Sequence, residues 1–363
     1  MDGVFARRAS RAFKIGCVGI GGEYPISIQS MTNTDTHDKV ATYNQTRLLS
    51  EAGCDIVRIA LPDEDSAKTI SYIKEKGLTT PIVADIHFDY KIALAALDAG
   101  VDKIRINPGN IGSREKTEKV VRACLDKRVP IRIGVNSGSL ERSILEKHGG
   151  VCAAALVESA LSHLKILHEL GFFDVAISVK ASNVPMMIEA NRLLARATDC
   201  PIHLGVTEAG ARCRAITKSS IGIGTLLAEG IGDTVRVSLT DDPTEEIEVA
   251  RGILSALELN KTRGMDIVSC PTCGRTRISL IGMLSDFENK ARDEGLLDMD
   301  IKVALMGCAV NGPGEAREAD IGIAGGVGEG LLFKKGEPIR KIKEECLVDE
   351  LIREIKIMRD IKK

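Results

Sequence analysis

Eight short runs rich in Ile and Val recur between residues 27 and 239, each followed by a polar turn and an amphipathic segment. They are Ser27–Met31, Ile56–Leu61, Pro81–Ile86, Lys103–Pro108, Ile131–Asn136, Val175–Lys180, His203–Glu208 and Thr234–Leu239. Successive runs start about 30 residues apart on average, close to the unit length of a (β/α)8 barrel. The one long interval holds an insertion, Ser137–Gly150, after the fifth run. Segments such as Lys91–Ala99 carry the apolar stripe of helices that pack on a parallel sheet. The pattern predicts an α/β fold, with an N-terminal (β/α)8 TIM-type barrel; an open, doubly wound sheet has similar spacing and stays the alternative.

Past Leu257 the character changes. Residues from about 265 read as strand (Met265–Val268), helix (Ile278–Glu294), two strands (Ile301–Met306 and Ile321–Ala324), a hairpin around Leu331–Ile339, and a final helix with Leu347, Leu351, Ile355 and Met358 on one face. The expected division is therefore a barrel over 1–257 and a smaller α/β domain over 258–363. Forty-nine basic and fifty-one acidic residues leave a net charge of -2, and aromatic residues make up 3 % with no Trp. Neither nucleic acid nor an anionic membrane finds a general electrostatic or stacking partner here. Arg7, Arg8, Arg11 and Lys14 precede no apolar stretch, so a cytoplasmic, reducing location is expected.

Catalytic groups of such a barrel belong at the C-terminal strand ends. Those ends carry Gln29 and Asn33, Arg58, Asp85 and His87, Arg105 and Asn107, Arg132 and Asn136, Lys180, Glu208, Arg236 and Ser238. An arginine inside a strand is costly unless it is paired or faces an anion. Four of them with Lys180 point to a diphosphate or a polycarboxylate, whose oxygens a guanidinium fork meets two at a time. The competing reading for any one of them is an internal salt bridge to Asp55, Asp85 or Asp102. His87, beside Asp85, reads as an oriented acid or base or as a plain hydrogen-bonding contact.

Seven of the ten cysteines lie singly and read as small core residues. The other three are grouped: Cys270-Pro271-Thr272-Cys273, then Cys308 in Met306-Gly307-Cys308-Ala309-Val310-Asn311-Gly312-Pro313-Gly314-Glu315. Structural zinc wants four ligands, and no histidine follows His203. Three thiolates on an iron–sulfur cluster leave one iron for a weak ligand or a substrate; Glu315 is the nearest carboxylate.

At these residues the chain resembles the 4-hydroxy-3-methylbut-2-enyl diphosphate synthase family, through SIQSMTNTDT, GCDIVRIALPD, ADIHFDYKIAL, KIRINPGNIG, PIRIGVNSGSL, SVKASNV, HLGVTEAG, CPTCGRT and MGCAVNGPGEA. The resemblance covers nearly the full length and matches the two-domain bacterial form. It implies reduction of 2-C-methyl-D-erythritol 2,4-cyclodiphosphate to the linear allylic diphosphate with loss of water. It further implies a [4Fe-4S] cluster on Cys270, Cys273 and Cys308, with Glu315 as the fourth ligand. Arg58, Arg105, Asn107, Arg132, Asn136, Lys180 and Ser238 would hold the diphosphate, with Asp85 and His87 nearby and Glu208 as proton donor. No flavin or nicotinamide fingerprint is present, so a flavodoxin or ferredoxin is the implied electron donor. Two rivals are a Schiff-base aldolase using Lys180 beside structural zinc, and a zinc-ribbon nucleic-acid module. Finally, Glu258–Gly264 spans at most about 25 Å, while the last barrel helix is about 21 Å tall and ends at the face away from the mouth. The resemblance implies a head-to-tail homodimer, with the cluster of one chain over the barrel of the other, and that arrangement removes the difficulty of so short a connection.

Overall fold

The computed structural model describes residues 6–86, 89–107, 114–259, 264–308, 314 and 316–361. The chain divides into two compact units, Met1–Asn260 and Lys261–Lys363.

The first unit opens with a feature the repeat did not reveal: an antiparallel hairpin of β1 (Phe13–Ile15) and β2 (Val18–Ile20). Then follow β3 (Ser27–Met31), β4 (Ile56–Ala60), β5 (Ile82–Asp85), β6 (Lys103–Ile106), β7 (Ile131–Asn136), β8 (Val175–Lys180), β9 (His203–Leu204) and β10 (Thr234–Val235). All are parallel. Neighbours run β8-β7-β6-β5-β4-β3-β10-β9, and a bridge between Ile177 and Ile202 joins β8 to β9. The sheet is closed, which excludes the open alternative. Each of the eight starts within one residue of its expected position, although β9 and β10 stop after two residues.

The returning helices are α1 (Lys39–Glu51), α2 (Lys68–Glu75), α3 (Tyr90–Asp98), α4 (Arg114–Lys127), α5 (Arg142–His148), α6 (Ala153–Glu169), α7 (Val184–Ala197), α8 (Arg212–Ala228) and α9 (Pro243–Ala256). Of these, α5 occupies the insertion. Local chemistry starts several of them: Asp38, Asn183 and Asp242 accept from backbone N–H groups of the first turns of α1, α7 and α9.

Alternation along the strands sorts the side chains. Val57, Ile59, Ile104, Ile106, Ile131, Ile133 and Val135 join the core shared with the helices. The opposite positions point into the barrel. At the strand beginnings these are Ile56, Val83 and Ala176, which pack against Phe13, Ile15 and Ile20 of the hairpin. Higher up they are charged. The hairpin thus stoppers the N-terminal end, and the polar interior opens at the other.

The second unit is a five-stranded sheet in the order β11 (Asp266–Ser269), β12 (Lys302–Met306), β13 (Ile321–Gly325), β14 (Glu329–Lys334), β15 (Glu337–Lys343). The first three are parallel and the last two form an antiparallel hairpin. Helices α10 (Leu280–Asp293) and α11 (Leu347–Ile361) cover it. Leu347, Leu351 and Ile355 are buried as the helical period demands, and Met358 packs at the margin. Among the described residues no helix is long and apolar enough to cross a membrane. All ten cysteines are free thiols.

Candidate active site

The C-terminal mouth of the barrel holds a cavity of about 80 Å³ lined by Arg58, Asp85, Arg105, Arg132, Asn136, Ser178, Lys180, Thr207, Arg236 and Ser238. Five cationic side chains thus face one carboxylate. The four arginines are not equivalent. Arg105 Nη1 donates to Asp85 Oδ1 at 3.1 Å and its Nη2 to the Gly134 carbonyl at 3.2 Å. Arg58 Nη2 lies 3.6 Å from the other Asp85 oxygen. Arg236 forms an ion pair with Glu246 of α9, Nη2 to Oε1 at 2.8 Å. Among the described residues Arg132, 1 % exposed, has one hydrogen bond, from Nη1 to Ser178 Oγ at 2.8 Å, while its Nε and Nη2 have no partner. Of the three acids weighed from sequence, Asp85 reaches two arginines of the cluster. Asp55 accepts from the Ile28 N–H and Asp102 from the Ile82 N–H.

Two glycines make room for this set. A Cβ on Gly134 would stand 2.3 Å from Arg105 Nε. One on Gly205 would stand 2.7 Å from the Arg236 carbonyl and 2.8 Å from Lys180 Nζ. Both occupy inward positions, so the long side chains cross the barrel over bare backbone.

Burial sets the electrostatics. Lys180 is pushed well below the ordinary lysine range by desolvation, and then by the nearby Arg132, Arg58, Arg236 and Arg105 guanidiniums. Lys103 is lowered in the same way by burial, Arg132 and Arg58, and buried His203 by desolvation and then by Arg132, Lys180, Lys103 and Arg58. Its Nδ1 meets Thr234 Oγ1 at 2.6 Å while Nε2 has no partner. The deeper interior is therefore polar but starved of negative charge, and an anion at the mouth relieves it.

Asn107 is buried at the end of β6, and Asn136 and Ser238 line the cavity. Glu208 follows β9 but is exposed, with φ +53°, a left-handed conformation that costs a non-glycine residue about 1–3 kcal/mol and marks functional turns. It is not part of the cavity lining. His87 and Glu315 lie outside the described residues. Sequence reasoning missed Thr207, Ser178, Gly134, Gly205 and Glu246. Gly134 had a legible signal, sitting in an Ile/Val-rich run two residues past Arg132; Gly205, and a carboxylate contributed by a helix, had none.

In the second unit Cys270 directly follows β11 and Cys308 lies two residues past β12, its parallel neighbour. Cys270 Sγ accepts from the Gly307 N–H at 3.2 Å, which brings it beside the backbone that carries Cys308. The intervening turn leans on the same strand end: Arg277 N donates to the Gly307 carbonyl at 3.0 Å. Exposed Cys273 is lowered below the usual thiol range by a backbone hydrogen bond from Arg275, assisted by that residue's side chain. Among the described residues no three His, Cys, Asp or Glu side chains stand close enough to enclose a single metal ion. The donor set, soft thiols of which one has backbone N–H support and one is lowered toward thiolate, fits an iron–sulfur group better than a hard cation.

Residues 10–251 match the family model described as the GcpE TIM-barrel domain, and 266–357 that of the GcpE protein C-terminal domain. The chain belongs to the GcpE family. Among GcpE relatives, one from Clostridium acetobutylicum is 58 % identical over 349 residues, covering 96 % of this chain and 99 % of its own. One from Geobacter sulfurreducens is 53 % identical over 346 residues, covering 95 % and 97 %. Both carry the name 4-hydroxy-3-methylbut-2-en-1-yl diphosphate synthase (flavodoxin). In structure, a type I 3-dehydroquinate dehydratase from Clostridium difficile is similar at TM-score 0.52 and 16 % identity, covering 69 % of this chain and 98 % of its own. That likeness is one of barrel fold alone.

Proposed function

We propose that this chain reduces 2-C-methyl-D-erythritol 2,4-cyclodiphosphate to (E)-4-hydroxy-3-methylbut-2-enyl diphosphate, two electrons being taken up and water lost. The observation that carries the reading is Arg132: a buried guanidinium with two unpartnered nitrogens on a cavity where cations outnumber carboxylates. A diphosphate supplies the missing acceptors and the missing charge. Arg58, Arg105, Arg132, Asn107, Asn136, Lys180 and Ser238 hold it, and Asp85 aims Arg58 and Arg105. Burial and the neighbouring guanidiniums disfavour the ammonium form of Lys180, and an arriving anion favours it. Glu208 protonates the departing hydroxyl, and His87, two residues past Asp85 in sequence, would add a further contact to the substrate.

Cys270, Cys273 and Cys308, with Glu315 as the fourth ligand, would hold a [4Fe-4S] cluster. Such a cluster supplies electrons singly, so a flavodoxin, the donor named for the relatives, serves twice per turnover. The test is the visible spectrum of anaerobically purified protein with its iron and sulfide content. Cys308→Ser should bleach it; full retention of iron and sulfide in that variant refutes the ligand set.

We propose further a homodimer that shares sites between chains, a reading that the short Glu258–Gly264 connection supports. Mixing Glu208→Gln with Cys308→Ser subunits, each inactive alone, should restore roughly a quarter of normal activity by random exchange. A dead mixture after proven exchange would mean that each chain uses its own cluster.

A further inference from the structure

Glu246 sits in the first turn of α9 and is 2 % exposed. Its carboxylate takes four donors. Oε2 accepts from Ser30 Oγ at 2.8 Å and Arg236 Nε at 3.2 Å. Oε1 accepts from Arg236 Nη2 at 2.8 Å and from the Leu239 N–H at 3.2 Å. A single side chain thereby ties β3 and α9 to the stretch after β10, across the seam where the last barrel strand meets the first.

The pairing consumes one edge of the Arg236 guanidinium and leaves Nη1, which donates to Ser238 Oγ at 3.1 Å. A hydroxyl whose oxygen already accepts from a guanidinium turns its own proton away from that donor. Arg236 and Ser238 both line the mouth cavity. Glu246 also cancels the charge of Arg236, so this wall offers direction rather than another free cation. That matters chemically, because a further unneutralised cation would hold a diphosphate product as firmly as the substrate.

We infer that Glu246 is a positioning residue for the anion site: it fixes Arg236, and through Arg236 it turns the Ser238 hydroxyl into an oriented donor to phosphate. The inference rests on the diphosphate reading of the cavity. A mere brace would need the Ser30 contact; the bidentate grip on Arg236 and the bond to Leu239 serve the lip of the mouth.

The experiment measures inorganic pyrophosphate binding by calorimetry, and KM and kcat for the cyclic diphosphate on the reconstituted enzyme. Glu246→Gln keeps the shape but turns an N–H₂ toward donors. It should weaken pyrophosphate binding about three- to tenfold and raise KM by a like factor, with kcat changing less. In a Ser238→Ala background the same change should cost less than about twofold, because the hydroxyl it orients is gone. Losses that multiply in the double variant, or an unchanged affinity in Glu246→Gln, overturn the inference. If Glu246→Gln does not fold, Arg236→Lys keeps the charge without the fork and should give the same Ser238-dependent loss; independence from Ser238 refutes the relay. Wild-type protein that fails to bind pyrophosphate overturns the diphosphate reading itself, whereas normal wild-type binding with an indifferent Glu246→Gln removes only the role of Glu246.

Discussion

Replacing Arg132 and Arg105 separately by Leu should split binding from stability, because their surroundings differ. Arg132 has no carboxylate within ion-pairing distance among the described residues, one bond to Ser178, and two idle nitrogens. If each idle nitrogen meets a phosphate oxygen, Arg132→Leu forfeits two charge-assisted hydrogen bonds, about 1.5–3 kcal/mol apiece. That is roughly a hundredfold to ten-thousandfold in Kd. Its effect on folding is small: the Ser178 bond is worth about 0.5–1.5 kcal/mol, and removing a buried guanidinium with no counterion offsets it. Arg105→Leu, by contrast, takes the 3.1 Å partner from Asp85, which is 2 % exposed, while Arg58 stands farther off at 3.6 Å. Breaking such a pair costs about 3–5 kcal/mol, and at about 2–4 °C per kcal/mol for a unit of this size Tm falls by something like 6–20 °C. Calorimetric titration with pyrophosphate gives the first quantity and scanning calorimetry the second. If Arg132→Leu lowers Tm as far as Arg105→Leu, or shifts the pyrophosphate Kd by less than tenfold, the assignment of Arg132 to the ligand is wrong.

Lys103→Met should stabilise the barrel by about 1–3 kcal/mol. Because the lysine is depressed in the folded state, the unfolded chain binds more protons, so wild-type stability climbs as pH rises toward the ordinary lysine value; in urea titrations across alkaline pH the variant should climb less steeply, keeping only the share of Lys180. Pyrophosphate binding should draw in a proton through Lys180, tightening as pH falls. Titrations in buffers of different ionisation enthalpy read this uptake, and Lys180→Met should abolish it. Gly134→Ala should displace the Arg105 guanidinium and weaken pyrophosphate binding at least tenfold; an unchanged Kd would show that the barrel interior yields more easily than its packing indicates.

The barrel was legible because each of its strands obeys two constraints at once: Ile or Val on the helix side, and a polar group at the mouth. Hence the expected starts at Ile56, Ile131 and Val175 coincide with β4, β7 and β8. The closure was not, since the bond between β8 and β9 rests on a single bridge at Ile177 and Ile202. The hairpin at Phe13–Ile20 escaped notice because two three-residue strands carry too short a period to register. In the site, the cations could be read from cost alone, for an arginine in a strand demands a reason. Which of them was already neutralised could not. Glu246 lies ten residues beyond Arg236 on a helix, where a glutamate ordinarily reads as a solvated first-turn residue favoured by the helix dipole.

The apolar stopper formed by Phe13, Ile15 and Ile20 under Ile56, Val83 and Ala176 makes the barrel a vessel with one opening. Water, protons and ligand must share that entrance. Once an anion fills it, the Lys103 amine and the His203 imidazole lie beneath that anion, away from bulk water. A proton needed afterwards must then come from the anion's own side or from the rim, never from below. The seal also gives order to turnover, since nothing can be flushed through: a product leaves by the way its precursor came, and the next molecule waits for it.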